Sequence, residues 1–558
     1  MNDTYFNIKG QLVDIIQKDI YPVSISVKDG YIDGIERVVE APTVYIMPGF
    51  IDAHVHIESS LLVPTEFARM AVVHGTVATV SDPHEIANVC GMQGVRYMIE
   101  NGKQVNFKFY FGAPSCVPAT TFETAGGSIG LKDLETLLQD TDINYLAEMM
   151  NWPGVLASDP LVVQKLALAK QYGKPIDGHA PGLRGEKAAQ YVQSGISTDH
   201  ECVSYPEALE KLKLGMKIAI REGSAAKNFD ALIDLMDEYQ ENLMFCSDDK
   251  HPDSLLEGHI NTLVARAVAK GKNLFDVLKV ACLNPIEHYS LGVGTLQLNE
   301  PADFILVKDL KHFEALQTYI NGKLVASNGQ TLISSVKNSI INKFLIPKVT
   351  ADSFQIQGKT GKIRIIEVED GQLVTREGEA YMIAEEGKLV ADIGRDILKI
   401  AVINRYETRP VALGFIKNFG IKNGAIASSV AHDSHNVIVV GTDDESMEIA
   451  ANAVIVSKGG LAAFDGEDVR ILPLPVAGLM NTGDGFEVAK SYTELDEFSK
   501  KMGATLASPY MSLSFMALLV IPSLKISDLG LFDGERFEFV SLHKSDDVKT
   551  QQDARRIS

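Results

Sequence analysis

The chain reads as α/β in three parts: a (β/α)8 TIM-like barrel over residues 48–290, a small composite β domain made from residues 1–47 and 291–338, and a C-terminal α+β domain over 339–558. Two observations carry the barrel. Eight short apolar segments recur over roughly 240 residues, each followed by a helix-like stretch. Polar, chemically capable side chains also gather where those segments end, the place where such barrels build their sites. An open doubly wound sheet would show the same alternation, because closure leaves no mark on a sequence; the count of eight favours the barrel.

Residues 1 to 47 alternate like short strands, and "PVSISVKDGYIDGIERVV" places an Asp-Gly turn between two period-2 segments. The barrel strands follow as "YIMPGFIDAHVHI", "TVATVSDPHE", "NFKFYFGAPSCVP", "NYLAEMMN", "KPIDGHAPG", "GISTDHECV", "MKIAIREGS" and "LMFCSDDKHP". Between them "DPLVVQKLALAKQYG", "GEKAAQYVQSG", "PEALEKLKLG" and "FDALIDLMDEYQ" read as helices. "LGVGTLQLNEPADFILVKDL" and "ALQTYINGKLVASNG" return to strands that would complete the composite β domain around the barrel. Beyond residue 339, "KIRIIEVEDGQLVT", "LKIAVINRY", "NVIVVGTDDESMEIAANAVIVSKGG" and "FEFVSL" give the α+β part.

Composition narrows the function. With 46% hydrophobic and 22% charged residues the chain can build a large core. A formal charge of −21 argues against a nucleic-acid or anionic-membrane surface, both of which need excess Lys and Arg. Five cysteines without CxxC spacing fit reduced thiols, "MNDTYFNIKG" is no secretory leader, and no apolar run approaches the roughly 18 residues of a membrane span, so a cytoplasmic protein is expected. The tail "KSDDVKTQQDARRIS" is expected to fray.

The strand ends supply His54 and His56; Asp82, His84 and Glu85; Glu148; His179; His200 and Glu201; Arg221 and Glu222; and Asp248 and Asp249. His54 and His56 share one strand face, and paired imidazoles suit a divalent metal. An isolated HxH is more often a hydrogen-bonded pair, but five of thirteen histidines fall at these ends, which chance placement does not explain. Ligand arithmetic suggests two metals: His54, His56 and Asp248 for one, His179 and His200 for the other, with Glu148 bridging. Two divalent ions sharing a water would supply hydroxide near neutral pH. A single metal with outer partners remains the alternative.

At these residues the chain resembles the amidohydrolase superfamily and, within it, the bacterial adenine deaminases. The likeness rests on "PGFIDAHVHIESS", "DPHEIANVCG", "LAEMMNWPGV", "DGHAPGL", "DHECVS", "REGSAAKN", "AHDSHN", "PLPVAGLM" and "GLFDGE", spread from residue 48 to about 535. The resemblance implies a metallohydrolase barrel, a Mn- or Fe-type binuclear centre (Zn also being compatible) and hydrolysis of adenine to hypoxanthine and ammonia in purine salvage. It places His54, His56, Glu148, His179, His200 and Asp248 where superfamily ligands fall. Glu148 stands where hydantoinase-like relatives use a carboxylated lysine. "HAPG" puts Gly182 where adenosine and cytosine deaminases carry the Glu of HxxE, so their proton shuttle must be replaced.

Deamination needs hydroxide attack at ring carbon 6 and an acid at ring nitrogen 1. Asp248 is the candidate to carry the proton from water to the leaving amine; Glu85 and Glu201 are the candidate acids. Each of these glutamates follows a histidine, so alternation turns it off the barrel axis unless the strand has ended, and orienting a loop is the competing role. His84 is a candidate for substrate or an additional metal, against a plain turn after Asp82-Pro83. Arg221 and Ser224 are candidates for a substrate edge, with a structural Arg221–Glu222 pair equally open. His432, Asp433 and His435 of "AHDSHN" read as a hydrogen-bonded turn or as a loop that closes over the barrel mouth or supplies another ligand. The expected partners are free adenine, with adenosine a poor substrate, and a second copy in a homo-oligomer, a dimer; no nucleic acid and no membrane are expected. Another binuclear amidohydrolase acting on a cyclic amide or amidine is the alternative, and an inactive barrel scaffold is disfavoured because no expected ligand is missing.

Overall fold

The computed structural model describes residues 5–544, and the tail expected to fray lies, past Lys544, outside the described residues. The barrel strands run Phe50–Val55, Thr76–Ser81, Lys108–Ala113, Ile143–Met149, Ile176–Gly178, Thr198–Asp199, Lys217–Arg221 and Leu243–Cys246. The first five form one parallel ladder and the last three another. Two seams join them. Ser197 N donates to Ile176 O at 2.9 Å between the fifth and sixth strands, and Asp248 N donates to His54 O at 2.9 Å between the eighth and the first. The ring is closed, a barrel rather than an open sheet.

The "YIMPGFIDAHVHI" segment divides at Gly49. Tyr45–Pro48 joins the flanking sheet, while all six residues of Phe50–Val55 are buried in the barrel. A Cβ at Gly49 would stand 2.2 Å from Val77 Cγ1, so the chain can cross between the two sheets only with glycine there. Asp52 fastens the seam from inside. Its carboxylate accepts hydrogen bonds from Ser247 N (2.9 Å) and Ser247 Oγ (2.5 Å) on the eighth side and from His259 Nε2 (2.8 Å).

Several helices begin at side-chain caps. Asp159 accepts from Leu161 N and Val162 N to start Pro160–Gln171, with proline in the first turn. The stretch "FDALIDLMDEYQ" departs from the expected single helix and breaks into Phe229–Leu232, Ile233–Leu235, Met236–Tyr239 and Gln240–Asn242. Its Phe229, Leu232, Ile233, Leu235 and Met236 are all buried, so the broken segment still turns one apolar face inward.

Residues 5–48 and 304–331 share one eight-stranded sheet. Tyr45–Pro48 lies between Tyr5–Asp14, to which it is parallel, and Phe304–Val307, to which it is antiparallel. The Asp29-Gly30 turn joins Asp19–Lys28 to Tyr31–Arg37 with both residues at positive φ (50° and 88°), the geometry that a two-residue hairpin needs. The C-terminal region holds a second eight-stranded sheet, whose Val437–Gly441, Ala425–Ser428 and Gly460–Phe464 strands pack on helix Asp444–Val456. Its helix Gly485–Lys501 lies on the barrel, where Gly485 N donates to Glu66 Oε2 (3.1 Å), Asp484 pairs with Arg69 (2.7 Å) and Tyr492 meets His251 Nδ1 (2.6 Å). Among the described residues no helix is long and apolar enough to cross a membrane.

The Asp52 seam yields a stability prediction. Asp52→Ala leaves buried donors of Ser247 and His259 unpaired and should lower unfolding free energy by about 3 kcal/mol. Urea unfolding checks this; an unchanged midpoint would show that the seam does not depend on Asp52.

Candidate active site

The strand-end residues converge. His54 is the last residue but one of the first strand, and His56 opens the turn Ile57–Ser60, which brings their Nε2 atoms within 3.2 Å. Glu148, 3% exposed, rises between two sets of imidazoles. Its Oε1 lies 3.5 Å from both His56 Nε2 and His84 Nδ1, and its Oε2 lies 3.0 Å from His179 Nδ1 and 3.2 Å from His200 Nε2. Asp248 Oδ1 stands 3.6 Å from His54 Nε2 and 3.4 Å from His56 Nε2. The rings of His54 and His200 stack at 4.1 Å.

These atoms suit a divalent cation. His56, Asp82, His84 and Glu148 form one compact donor group, His54, Glu148 and His200 a second, and His54, His56 and Asp248 a third. His84 Nδ1 and Asp82 Oδ2 lie 3.1 Å apart without forming a hydrogen bond, and His179 Nε2 has no partner. Buried donors crowded together yet unbonded are what a bound cation would satisfy. Burial pushes the Glu148 and Asp248 carboxyls up, but His179 and His200 around the first, and Arg221 and His56 around the second, hold both well below the usual carboxylate range.

Glu85 and Glu201 escape the alternation that would have turned them away. The second strand stops at Ser81 and the sixth at Asp199, so Glu85 rides the first turn of helix His84–Cys90 and Glu201 sits in a loop. Arg221 binds Glu201 with both terminal nitrogens (2.6 and 2.9 Å) and reaches Asp248 Oδ2 at 2.7 Å. This departs from one reading of Arg221: neighbouring strand residues face opposite ways, so Glu222 pairs instead with Arg266 at 2.7 Å, while the guanidinium meets two carboxylates and borders the cavity that Glu201 and Gly182 also line. Ser224 departs as well. Its hydroxyl bonds Ser254 Oγ and accepts from His251 N, both at 2.9 Å, because its loop folds toward helix Pro252–Glu257.

"AHDSHN" reaches the barrel. His432 Nδ1 lies 2.6 Å from Glu85 Oε1, and His435 Nε2 bonds Glu85 Oε2. Burial pulls His432 down, yet Glu85 raises it to about 9; His435 is held by burial at about 4. Asp433 Oδ1 is 3.9 Å from His84 Nε2. Phe515 stacks on His432 at 4.8 Å, and together with Leu373 and Leu518 it closes the space above the imidazoles. Sequence reasoning left these three apolar residues unmarked, since nothing local distinguishes them from core. Asp82 was marked at its strand end but given no role, and the structure brings its carboxylate into the group with His56, His84 and Glu148.

Lys211 in helix Tyr205–Lys213 was missed too, though it is 1% exposed directly behind the site. Its ammonium donates to Ala180 O (2.7 Å), Asp199 Oδ2 (2.8 Å) and Glu207 Oε1 (3.0 Å). Ala180 follows His179 and Asp199 precedes His200, so one cation sets both imidazoles.

Residues 45–325 match the amidohydrolase family, and residues 372–538 match the adenine deaminase C-terminal domain. An adenine deaminase of Salinibacter ruber is 52% identical over 96% of this chain and 98% of its own length. One of a Sulfurovum species is 52% identical over 96% and 99%, and one of Methanosarcina barkeri is 50% identical over 96% and 98%.

The Lys211 bracket makes a prediction independent of turnover. Lys211→Met should weaken divalent-metal binding by about 10–100-fold, the scale of losing a partner behind a ligand. Equilibrium dialysis with manganese reads this; a folded variant that binds as tightly as the parent would make Lys211 mere packing.

Proposed function

Since the chain belongs to the adenine deaminases of the amidohydrolase superfamily, and is thus a metal-dependent hydrolase converting adenine to hypoxanthine and ammonia, we propose how its residues divide that work. The carrying observation is Glu148, whose two oxygens each face a separate pair of histidines. It supports a binuclear centre for which His54, His56 and Asp248 would hold one ion and His179 and His200 the other, with Glu148 placed to serve both. Manganese or iron suits this mixed imidazole–carboxylate set, and zinc is compatible. Such ions supply hydroxide near neutral pH.

Asp248 accepts a proton and delivers it to the leaving amine; Arg221 on Oδ2 keeps it ionised while Oδ1 faces the histidines. The two candidate acids separate on their partners. Arg221 keeps Glu201 as a carboxylate, which fits an acceptor that anchors the base; Gly182 borders the same cavity and leaves open room where HxxE relatives carry a side chain. Glu85 is also held as a carboxylate, by His432, His435 and His84, so the proton of the Glu85–His432 pair rides on His432, and that pair is the source for ring nitrogen 1. His84, 3.4 Å from Glu85 Oε1, steadies this carboxylate from the other side. The adenine deaminases that share about half of its sequence support free adenine over adenosine.

We place the protein in the cytoplasm as a homodimer. Five free cysteines, four of them buried, support a reducing compartment. Ile449 and Val456, exposed one heptad apart on helix Asp444–Val456, support a covered face; sedimentation tests it.

Ammonia release after manganese loading tests the substrate: adenine should be turned over and adenosine poorly, and equal turnover of both, or none of adenine, overturns this reading. Two variants test the carboxylates. Glu148→Gln should lose about one of two ions, because an uncharged amide no longer offsets repulsion between two cations. Asp248→Asn should keep more of its metal while turnover falls about 10²–10⁴-fold. Full metal content in the first, or near-normal turnover in the second, would reassign these roles.

A further inference from the structure

Lys525 lies in strand Leu524–Ser527, is fully buried, and has no carboxylate beside it. An unpaired buried ammonium is costly, so its contacts need an explanation. Its Nζ donates to two backbone carbonyls, Leu373 O at 2.6 Å and Phe515 O at 3.0 Å. Those carbonyls belong to segments that approach the site independently. Leu373 lies in the loop between strands Gly361–Val368 and Thr375–Met382, and that loop touches the barrel where Ala226 N donates to Gly371 O at 3.0 Å. Phe515 opens the turn Phe515–Ala517 and carries the ring stacked on His432. The side chains of both residues line the space above the imidazoles.

We propose that Lys525 is a positioning residue that sets the spacing of Leu373 and Phe515, the two apolar walls between which the planar base is held. The inference rests on the reading of this mouth as the adenine site. An apolar residue at 525 could fill the volume but would leave Leu373 O without its donor and Phe515 O with Leu518 N alone (3.2 Å), and a backbone N–H at 525 could not tie the two segments together. An amine on a flexible stem reaches both. Burial pulls Lys525 down to about 7, and this costs the brace little, because the neutral amine keeps two N–H groups for its two carbonyls. Lys525 touches neither the reacting atoms nor the metal-binding histidines, so its removal should alter how tightly the base is held and leave the proton transfers in place.

Steady-state ammonia release by Lys525→Met in the full-length, manganese-loaded protein tests this, with metal content and thermal melting read in parallel. KM for adenine should rise about 10–100-fold, the scale of misplacing a binding wall by roughly an ångström. The kcat should stay within about threefold and metal content should not change. Inhibition by purine, which lacks the amino group and is not deaminated, should weaken by the same factor as KM rises. If melting falls while KM and purine inhibition keep their parental values, Lys525 is structural only and the proposal fails; it fails equally if kcat and metal content fall together. Should Lys525→Met not fold, Leu373→Ala and Phe515→Leu carry the test, since moving either wall must raise KM and weaken purine inhibition, and parental values in both variants overturn it. Absence of adenine turnover by the parent protein would instead sink the substrate reading, so the two failures are distinct.

Discussion

Glu148 keeps each of its two oxygens against a different pair of imidazoles, and that demand reaches through the whole barrel. It rises from the fourth strand, while its partners come from the ends of the first, second, fifth and sixth. In an open sheet the first and sixth strands would stand about 24 Å apart at the usual spacing. Here the rings of His54 and His200 are 4.1 Å apart. Only closure reconciles these distances, so the Asp52 seam, directly beneath His54 and Asp248 on their own strands, is a condition of the chemistry. Lys211 extends the same constraint outward by holding the Ala180 carbonyl and the Asp199 carboxylate, the chain neighbours of His179 and His200.

The C-terminal region completes what the barrel begins. Glu85 would be a buried carboxylate with few partners if the barrel stood alone; it receives His432 and His435 from about 350 residues further along the chain. Those histidines and the Phe515 ring roof a space whose floor is a concentration of charge. Excluding water there strengthens each ionic contact, since the same charges interact more weakly in a high-dielectric medium. The region is therefore part of the site, and its buried face is chemical as well as structural.

What could be read in advance divides by the range of the interaction. The barrel strands and the strand-end histidines announce themselves through local period and local composition, and both survive in the structure. Closure leaves no local mark and was favoured only by the count of eight units; the Ser197–Ile176 and Asp248–His54 bonds carry it in the structure. Arg221 misled because its chain neighbour Glu222 was the visible acid, whereas strand alternation sends the two apart and the true partners lie 20 and 27 residues away. Ser224 sat in a suggestive motif but follows its loop away from the mouth. Leu373, Phe515 and Lys525 had no local signal at all; their meaning exists only once two segments meet over a third. Roles set by neighbours in sequence were legible, and roles set by neighbours in space were not.

The sheet that flanks the barrel is sewn from both ends of it, with Tyr45–Pro48 lying between Tyr5–Asp14 and Phe304–Val307. On a ribosome this imposes an order. The first hairpins emerge early and can pair among themselves, but one edge of Tyr45–Pro48 has no partner until some 260 residues more have been made. At ordinary synthesis rates that wait is on the order of tens of seconds, long compared with hairpin formation. The nascent chain thus carries an open strand edge through the whole making of its barrel, a time when a chaperone or a neighbouring chain can reach it first.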